Sequence, residues 1–255
     1  MNISLITNRD LASHIVLSRL IGLLSGHRLS IFISEKVGRD QSLPQPLMAL
    51  AEFEKQLIAA SPHSFDSLAR QAGCRLQGFA DIDNRVNGTQ GIERIKATEP
   101  DVILSIRFGL IIREPIIAIP KYGVINLHSG LLPDYRGVMA SFRAMVNGDA
   151  EIGSTLHYIQ DGGVDTGDIL SIARAPLNPE QSYLLNVLSL YTAGCRQMAF
   201  AVQQLDSDIS LRAQSQQGQA NYYSFPTDLE LEEFFALGYQ LFNPAEIEQI
   251  RALQA

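Results

Sequence analysis

The sequence predicts an α/β fold built on a doubly wound, mostly parallel sheet, and three observations support this. The chain has 255 residues, 46% of them hydrophobic, which is enough to bury one large core. Short β-branched runs alternate with stretches of helical spacing, an order typical of βαβ units. Glycine-bearing polar loops follow two of the later strands, as expected where strands end at a ligand-binding edge. We therefore expect helices on both faces of one sheet.

The predicted elements follow one another from the N-terminus. A first strand covers 3–7, a helix carries apolar residues from Leu11 to Leu24, and a second strand covers 29–34. The stretch 35–46 contains two prolines among polar residues and is expected to be a loop. The later elements are helices at 47–60, 64–72 (opening from Ser61-Pro62), 91–98, 138–147 and 180–205, and strands at 75–79, 101–106, 124–128, 153–159 and 168–174.

The chain is expected to form one domain over 1–205, followed by a linker and an extension over 206–255. Residues 206–221 are polar and rich in Gln, which is typical of a linker. Aromatic residues then concentrate in 222–242. An exposed apolar surface of that size would be a liability, so we expect the aromatic extension to be buried. Packing on its own core and packing in a homodimer are both open.

The composition argues against several classes of protein. No apolar run is long enough to cross a bilayer, and the first ten residues lack the features of a secretory signal, so we expect a cytoplasmic protein without a membrane partner. The net charge of −7 and the scattered Lys and Arg argue against a nucleic-acid partner. Cys74 and Cys195 lie outside any CxxC or Cys/His cluster, so neither a disulfide nor a metal site is expected.

Side chains that could stabilise an oxyanion and move a proton occur near one strand end. Asn126 and His128 lie two residues apart in a predicted strand, so their side chains point to the same side. Asp165 lies in a second polar loop, where its carboxylate could orient His128 and favour its charged form. An amide N–H and an imidazole suit a reaction that passes through a tetrahedral intermediate. Taken alone, these residues equally fit a turn and a surface histidine.

The whole segment 122–170 resembles the catalytic core of the folate-dependent formyltransferase family, which includes methionyl-tRNA, glycinamide ribonucleotide and sugar N-formyltransferases. The family pattern is N-x-H-x-S-x-L-P, then R-G, G-x-T-x-H and D-x-G. Its residues stand here, in order, as Asn126, His128, Leu132-Pro133, Arg136-Gly137, Gly153, Thr155, His157, Asp165 and Gly167. The resemblance is strong in this core and looser over the rest of 1–205.

The resemblance implies an enzyme in which Asn126, His128 and Asp165 are catalytic and 10-formyltetrahydrofolate is the formyl donor. His157 is expected to support this group rather than to contact the substrate. The pterin ring is expected to lie against two segments, the first formed by Phe108, Gly109, Leu110 and Ile111 and the second by Gln160, Asp161, Gly162, Gly163 and Val164.

Three departures from the family pattern bear on the acceptor. Gly130 stands where most relatives have Ser, which shifts the loop hydroxyl to Ser129 and predicts a more flexible loop. The first strand ends in 7–10 (TNRD) rather than in the glycine-rich turn of glycinamide ribonucleotide formyltransferase, which argues against a ribonucleotide acceptor. An acidic chain without the OB-like C-terminal domain of methionyl-tRNA formyltransferase is not expected to bind tRNA.

We therefore predict an N-formyltransferase for a small amine, such as an amino sugar or a modified amino acid in a specialised biosynthetic pathway. The acceptor is expected between two loops at the carboxyl ends of strands. These loops consist of Asn8, Arg9 and Asp10 and of Asp134, Arg136 and Gly137. The arginines could hold a phosphate or a carboxylate, and the aspartates could hold hydroxyl or ammonium groups. Alternatively, Arg136 braces the catalytic loop and Asp10 caps the first helix.

Two other functions remain open at this point. A formyltetrahydrofolate hydrolase would use water in place of the amine, and the sequence contains no amine pocket that excludes it. A non-catalytic folate-binding relative would be expected to lack at least one catalytic group. Asn126, His128 and Asp165 are all present, which favours an enzyme.

Overall fold

The computed structural model describes residues 1–35 and 43–254. Its strands are β1 (Asn2–Asn8), β2 (Arg28–Ser34), β3 (Leu76–Gly78), β4 (Val102–Ile106), β5 (Val124–His128), β6 (Arg136–Gly137), β7 (Glu151–Ile159), β8 (Ile169–Pro176) and β9 (Tyr222–Tyr223). Its α-helices are α1 (Leu11–Leu23), α2 (Gln45–Ala59), α3 (Phe65–Gln71), α4 (Thr89–Lys96), α5 (Glu114–Ile117), α6 (Ala140–Asn147), α7 (Tyr183–Asp206), α8 (Asp228–Ala236) and α9 (Ile247–Gln254).

Seven strands form the main sheet in the order β3-β2-β1-β4-β5-β7-β8. The first five strands in this order are parallel, and β7 and β8 are antiparallel to their neighbours. The chain starts in the middle of the sheet and winds outward on both sides. The predicted fold class, a doubly wound and mostly parallel α/β sheet, is therefore confirmed.

The sheet separates two apolar layers because alternate strand residues point to opposite faces. Leu5 and Leu104 face a layer that contains α1, α2, α7 and α9. Ile6 and Ile103, one position away in each case, face a smaller layer that contains α4 and α5. The central strands are buried on both faces, which explains their continuous apolar character in the sequence.

The strand register brings several polar residues to one edge of the sheet. Ile106 of β4 lies between Thr7 of β1 and Leu127 of β5. The next residue on each strand is polar, so Asn8, Arg107 and His128 lie side by side where the strands end. In a parallel sheet this carboxyl edge is where ligands bind.

The predicted elements are observed within a few residues of their predicted limits, whereas β6, β9, α5, α8 and α9 were not predicted. Helix α2 begins at Gln45, two residues earlier than predicted, and Pro46 is well tolerated in its first turn. Helix α3 opens from Ser64, whose hydroxyl accepts a hydrogen bond from the Ser67 N–H at 3.1 Å, rather than from Ser61-Pro62. Most of the predicted loop at 35–46 lies outside the described residues.

The C-terminal extension packs on the core of its own chain. Phe234 of α8 is buried and stacks on Phe142 of α6, with ring centroids 4.5 Å apart. Phe242 stacks on Phe53 of α2 at 4.6 Å. The first two residues of α7 donate backbone hydrogen bonds to the carbonyls of 240 and 241 at 2.9 and 3.0 Å. The aromatic residues of the extension thus contribute to the same core as the sheet.

The polar stretch between α7 and β9 lies against β8, the outer strand of the sheet. Gln214 exchanges two backbone hydrogen bonds with Ile169 at the start of β8, at 2.8 and 2.9 Å. Strand β9 then pairs in parallel with β6. A segment expected to be a linker therefore lies against the loop that follows β5.

Two properties expected from the sequence concern the helices and the cysteines. Across the described ranges 1–35 and 43–254, no helix has both the length and the apolar character needed to cross a membrane. Cys74 and Cys195 are free thiols, the first half-buried and the second buried.

We predict that Phe234→Ala lowers the free energy of unfolding by about 3–5 kcal/mol, because it removes a buried ring and leaves a cavity against Phe142. The matched control is Phe235→Ala in the same helix. Phe235 is 42% exposed, so its loss should cost less than about 1 kcal/mol. Urea unfolding monitored by circular dichroism measures both. Similar small losses for the two variants would contradict the assignment of the extension to the core.

Candidate active site

Strand β5 and its neighbour β7 provide the floor of the candidate site. Asn126 pairs with His157 across the antiparallel ladder, and His128 pairs with Thr155. Directly opposed residues point to the same face of a sheet, so the side chains of Asn126 and His157 are neighbours. The Asn126 Nδ2 lies 3.0 Å from the His157 Nε2.

The Asp165 carboxylate lies at the centre of this group. Its Oδ2 accepts a hydrogen bond from the Gly137 N–H at 2.9 Å and is 3.5 Å from the His128 Nδ1. Its Oδ1 is 3.4 Å from the His157 Nε2 and 3.5 Å from the Asn126 Nδ2. The structure therefore brings together Asn126, His128 and Asp165, which are separated by up to 39 positions in the chain.

The hydrogen bonds define different roles for the two histidines. His128 Nε2 lies 2.7 Å from the Tyr135 carbonyl oxygen and therefore donates to it. Its Nδ1 faces the Asp165 carboxylate, so both ring nitrogens of His128 face acceptors. His157 donates from Nδ1 to the Tyr158 carbonyl at 2.8 Å, which leaves Nε2 to accept from the Asn126 amide. The His157 ring thus orients the Asn126 amide, while the ring N–H groups of His128 can act as donors.

Asp165 has a left-handed backbone conformation, with φ of 53°. This conformation costs a residue other than glycine roughly 1–2 kcal/mol. It turns the side chain back toward β5, where the carboxylate meets its four partners. Backbone strain at a site of this kind is typical of a residue held in place for function.

Gly130 is required by close packing. A Cβ atom at this position would lie 2.6 Å from the His128 Nε2 and 2.6 Å from the Ala140 Cβ. The Gly130 carbonyl also accepts a hydrogen bond from the Thr155 hydroxyl at 2.7 Å. The sequence suggested glycine as a source of flexibility here, but the packing shows that any larger residue would displace the imidazole of His128.

The environment of Asp165 favours its ionised form. Burial acts to raise the pKa of this carboxyl group, and the charge of His128, the neighbouring His157 and the Gly137 N–H together outweigh it. The pKa falls from 3.8 to about 2. The carboxylate is thus ionised throughout the physiological range and can stabilise a positive charge on His128.

The first predicted pterin segment follows β4. Phe108 packs edge-on against Phe79 with centroids 5.9 Å apart. The Gly109 N–H donates to the Ser34 hydroxyl at 3.0 Å, and the Ile111 carbonyl accepts from the Asn87 amide at 2.7 Å. Within the described part of the chain, no hydrogen bond involves the backbone of Leu110.

The second predicted pterin segment is an exposed loop that approaches the first. The residues from Gln160 to Val164 are exposed. Asp161 holds the turn by accepting from the Gly163 N–H at 2.7 Å and the Thr166 hydroxyl at 3.0 Å. A Cβ atom built on Gly162 would lie 3.8 Å from the Arg113 side chain. The loop therefore comes close to Arg113, two positions beyond the first segment.

The first predicted acceptor loop is engaged in contacts within the protein. Asn8 is buried, and its Oδ1 lies 3.4 Å from the Ser34 hydroxyl. Arg9 is exposed and pairs with Glu35 at 3.2 Å. Asp10 caps α1 by accepting from the Ser13 N–H at 2.8 Å. It also pairs with the Arg107 Nε at 2.8 Å, so the helix-cap interpretation describes Asp10.

The second predicted acceptor loop is held by the C-terminal part of the chain. The Arg136 guanidinium donates two hydrogen bonds to the Gln216 side-chain oxygen, at 3.1 and 2.7 Å. Gly137 donates to Asp165, and its φ of 94° with the nearby Tyr223 carbonyl leaves no room for a side chain. Asp134 is exposed. The interpretation of Arg136 as a brace fits this geometry.

Sequence reasoning missed two side chains at this edge. Arg107 follows β4 directly with φ of 54° and reaches toward Asp10. Its position after a buried strand was a usable signal. Gln216 contacts the site from a polar stretch without periodicity, and nothing in the local sequence distinguishes it from its neighbours.

We predict that the stabilisation provided by Asp165 decreases in acid. Its pKa is lower in the folded state, about 2, than its ordinary value of 3.8. The ionised carboxylate therefore stabilises the fold above pH 4, and this contribution is lost as the pH falls toward 2. The difference in unfolding free energy between wild type and Asp165→Asn should shrink by about 1 kcal/mol from pH 5 to pH 3. Urea unfolding at both pH values measures it, and a constant difference would contradict the ion pairing.

Comparisons with known proteins agree with this geometry. Residues 61–184 match the family model described as formyl transferase. The methionyl-tRNA formyltransferase of Chlamydia pneumoniae is 35% identical over 124 residues, which cover 49% of this chain and 38% of that protein. The methionyl-tRNA formyltransferase of Hydrogenovibrio crunogenus is 32% identical over 157 residues, covering 59% and 50%. The chain therefore spans half or less of the length of these relatives.

Solved structures share the fold at low sequence identity. A sugar 3N-formyl transferase solved with dTDP and 5-N-formyl-THF has a TM-score of 0.61 and 17% identity, with 93% of this chain and 78% of that chain covered. Glycinamide ribonucleotide transformylase 1 from Symbiobacterium toebii has a TM-score of 0.60 and 17% identity, with 84% and 92% covered. An N-formyltransferase from Helicobacter canadensis, solved with folinic acid and dTDP-3-aminofucose, has a TM-score of 0.57 and 17% identity, with 93% and 80% covered. The segment 61–184, which carries Asn126, His128 and Asp165, belongs to the formyl transferase family.

Proposed function

We propose that this chain is an N-formyltransferase that moves the formyl group of 10-formyltetrahydrofolate to the amine of a small acceptor. The observation that carries the proposal is the convergence of Asn126, His128 and Asp165 at the carboxyl edge of the sheet. Asn126 and His128 each place a nitrogen 3.5 Å from the ionised Asp165 carboxylate, and N–H donors held in this way suit the stabilisation of a tetrahedral oxyanion.

The geometry suggests how the reaction proceeds. The amine nitrogen attacks the formyl carbon, and the carbonyl oxygen becomes an oxyanion. One N–H of Asn126 is taken by His157, and the second, held only at 3.5 Å from Asp165, is available to the oxyanion. His128 offers its Nδ1–H in the same region. The bond from carbon to N10 of the folate then breaks, and the proton lost by the amine replaces the formyl group on N10.

Asp165 acts through charge in this scheme. A carboxylate with a pKa of about 2 is a weak base at neutral pH, so it is poorly suited to accept the amine proton permanently. It instead keeps His128 oriented and stabilises the imidazolium that forms when His128 carries both protons. His128 is therefore the group that transfers the proton.

The donor site is proposed to lie between the segments 108–111 and 160–165. The Leu110 backbone, which bonds to none of the described residues, offers a donor and an acceptor, and this matches the alternating pattern of a pterin edge. Partly buried apolar side chains of Phe108 and Leu110 line the same wall. Val164 is 37% exposed on the opposite loop and can cover the ring.

The acceptor is proposed to approach between the turn at 8–10 and the loop at 134–137. Arg136 and Asp10 are bound within the protein, so the groups proposed for recognition are the exposed side chains of Asp134 and of Arg9, whose ion pair with Glu35 lies at the surface. An amino sugar or a modified amino acid could bind to both of these side chains, since each carries polar groups beside its amine. One structural neighbour is described in complex with dTDP-3-aminofucose, which makes nucleotide-linked amino sugars the first acceptors to test.

The proposal predicts acceptor-dependent release of tetrahydrofolate. The purified chain is incubated with 10-formyltetrahydrofolate alone and with a panel of amino sugars, nucleotide-linked amino sugars and modified amino acids. Mass spectrometry should detect a formylated amine with at least one acceptor. Rapid release of formate without acceptor would instead indicate a hydrolase.

Replacement of Asn126, His128 or Asp165 with Ala should lower kcat by about 100-fold or more, because each removes a group that acts on the transition state. His63→Ala, at an exposed histidine in front of α3, is the matched control and should leave kcat unchanged. Near wild-type turnover in any of the three site variants would refute its assigned role.

A charged replacement of Leu110 should weaken donor binding more than acceptor binding. Calorimetric titration with 5-formyltetrahydrofolate, a stable analogue of the donor, is expected to give a Kd about tenfold or more higher for Leu110→Arg, a loss of about 1.4 kcal/mol. Leu229→Arg, at a leucine that is 74% exposed in α8, is the control. If Leu110→Arg binds the analogue like wild type, the donor lies elsewhere.

A further inference from the structure

Gln216 connects the two loops of the candidate site. Its side-chain oxygen accepts from the Arg136 Nε at 3.1 Å and Nη2 at 2.7 Å. Its side-chain nitrogen donates to the carbonyl oxygens of Asp165 and Gly167, both at 2.8 Å. One amide group thus makes four hydrogen bonds, and it lies outside the segment 61–184 that matches the family model.

The surroundings of Gln216 distinguish it from its neighbours. Every other residue from 212 to 221 is exposed, and Gln216 alone in that stretch is half-buried. The backbone bridge between Gln214 and Ile169 fixes the stretch against β8, and the pairing of β9 with β6 fixes it against the loop at 136–137. These two backbone pairings therefore hold the Gln216 side chain in position at the site.

The chemistry of these contacts requires an amide. Arg136 has only donors to offer, and the carbonyls of Asp165 and Gly167 have only acceptors. A carboxylate at 216 could pair with Arg136 but would face two carbonyl oxygens without a proton. A hydrocarbon side chain of similar size would leave all four polar groups without this partner. Gln is long enough to reach both loops from the strand-like stretch.

The contact with Asp165 has a direct consequence for catalysis. Asp165 has a φ of 53°, and the Gln216 N–H groups hold its carbonyl in that conformation. On the other side, the Asp165 carboxylate accepts from the N–H of Gly137, which follows Arg136. The two loops are thus joined both at the carboxylate and at the carbonyl of Asp165. This arrangement determines where the carboxylate lies relative to His128.

We propose that Gln216 is a positioning residue for the catalytic step, which holds Asp165 in the orientation that keeps His128 and Asn126 aligned. The proposal rests on the formyl-transfer function argued above. It assigns a role in that reaction to the C-terminal segment, which supplies the amide without contacting the substrate.

The test compares Gln216→Leu, Gln216→Glu and the control Gln217→Leu in the full chain. Gln217 is exposed, and within 1–35 and 43–254 its side chain donates only to the Ser215 carbonyl. With an acceptor identified as above, Gln216→Leu should lower kcat about tenfold or more. The Kd for 5-formyltetrahydrofolate and the acceptor KM should change less than about threefold. Gln216→Glu, which keeps the contact with Arg136, should be as slow as Gln216→Leu.

Two further readouts separate positioning from a general loss of stability. The double variant Arg136→Met/Gln216→Leu should be no slower than the slower single variant, because both act through one network. Hydrogen exchange of 160–168 should accelerate in Gln216→Leu and not in Gln217→Leu. Wild-type kcat in Gln216→Leu or Gln216→Glu, or equal loss in Gln217→Leu, would overturn the proposal.

The exchange measurement needs no substrate. If the wild-type chain forms no formylated product with any amine, the proposed function fails. Unchanged exchange of 160–168 in Gln216→Leu overturns the positioning role whatever the activity. The two failures are therefore distinguishable.

Discussion

The site depends on one buried carboxylate. Asp165 lies within 3.5 Å of polar groups from the strands β5 and β7 and from the loop at 136–137. An isolated charge in the protein interior would destabilise the fold, and burial alone would raise the pKa of Asp165. The opposite shift, to about 2, means that its partners more than compensate. Each partner is consequently fixed in place by the same charge.

The sheet supplies the rigid part of this arrangement. Parallel strands that end in register place Asn8, Arg107 and His128 on one line, and the antiparallel β7 brings His157 opposite Asn126. The segment after β7 supplies Asp165, and the segment after β5 supplies Gly137. Such connecting segments are less rigid than the sheet. A site of this construction needs additional contacts to hold its loops, and Gln216 and β9 provide them from the C-terminal segment. That segment also fills the core through Phe234.

The fold and the catalytic residues could be predicted because their signals are local. The run VINLH forms β5 over the predicted residues, and the spacing of Asn126 and His128 fixes their common direction. The antiparallel direction of β7 and β8 was not predicted, since alternation of apolar residues is the same in both directions. The cap that Asp10 forms on α1 is local and could be predicted, but its ion pair with Arg107, 97 residues away, could not. The brace at Arg136 depends on Gln216, 80 residues away, and such a contact is set by the tertiary fold.

The central claim is that Asn126, His128 and Asp165 surround the formyl group of a folate donor. A crystal structure of the chain with 5-formyltetrahydrofolate tests it most directly. The account predicts the pterin edge hydrogen-bonded to the Leu110 backbone and the N10 region of the folate within reach of the Asn126 amide and His128. A folate bound elsewhere on the molecule, with these three side chains facing solvent or another group, would contradict it.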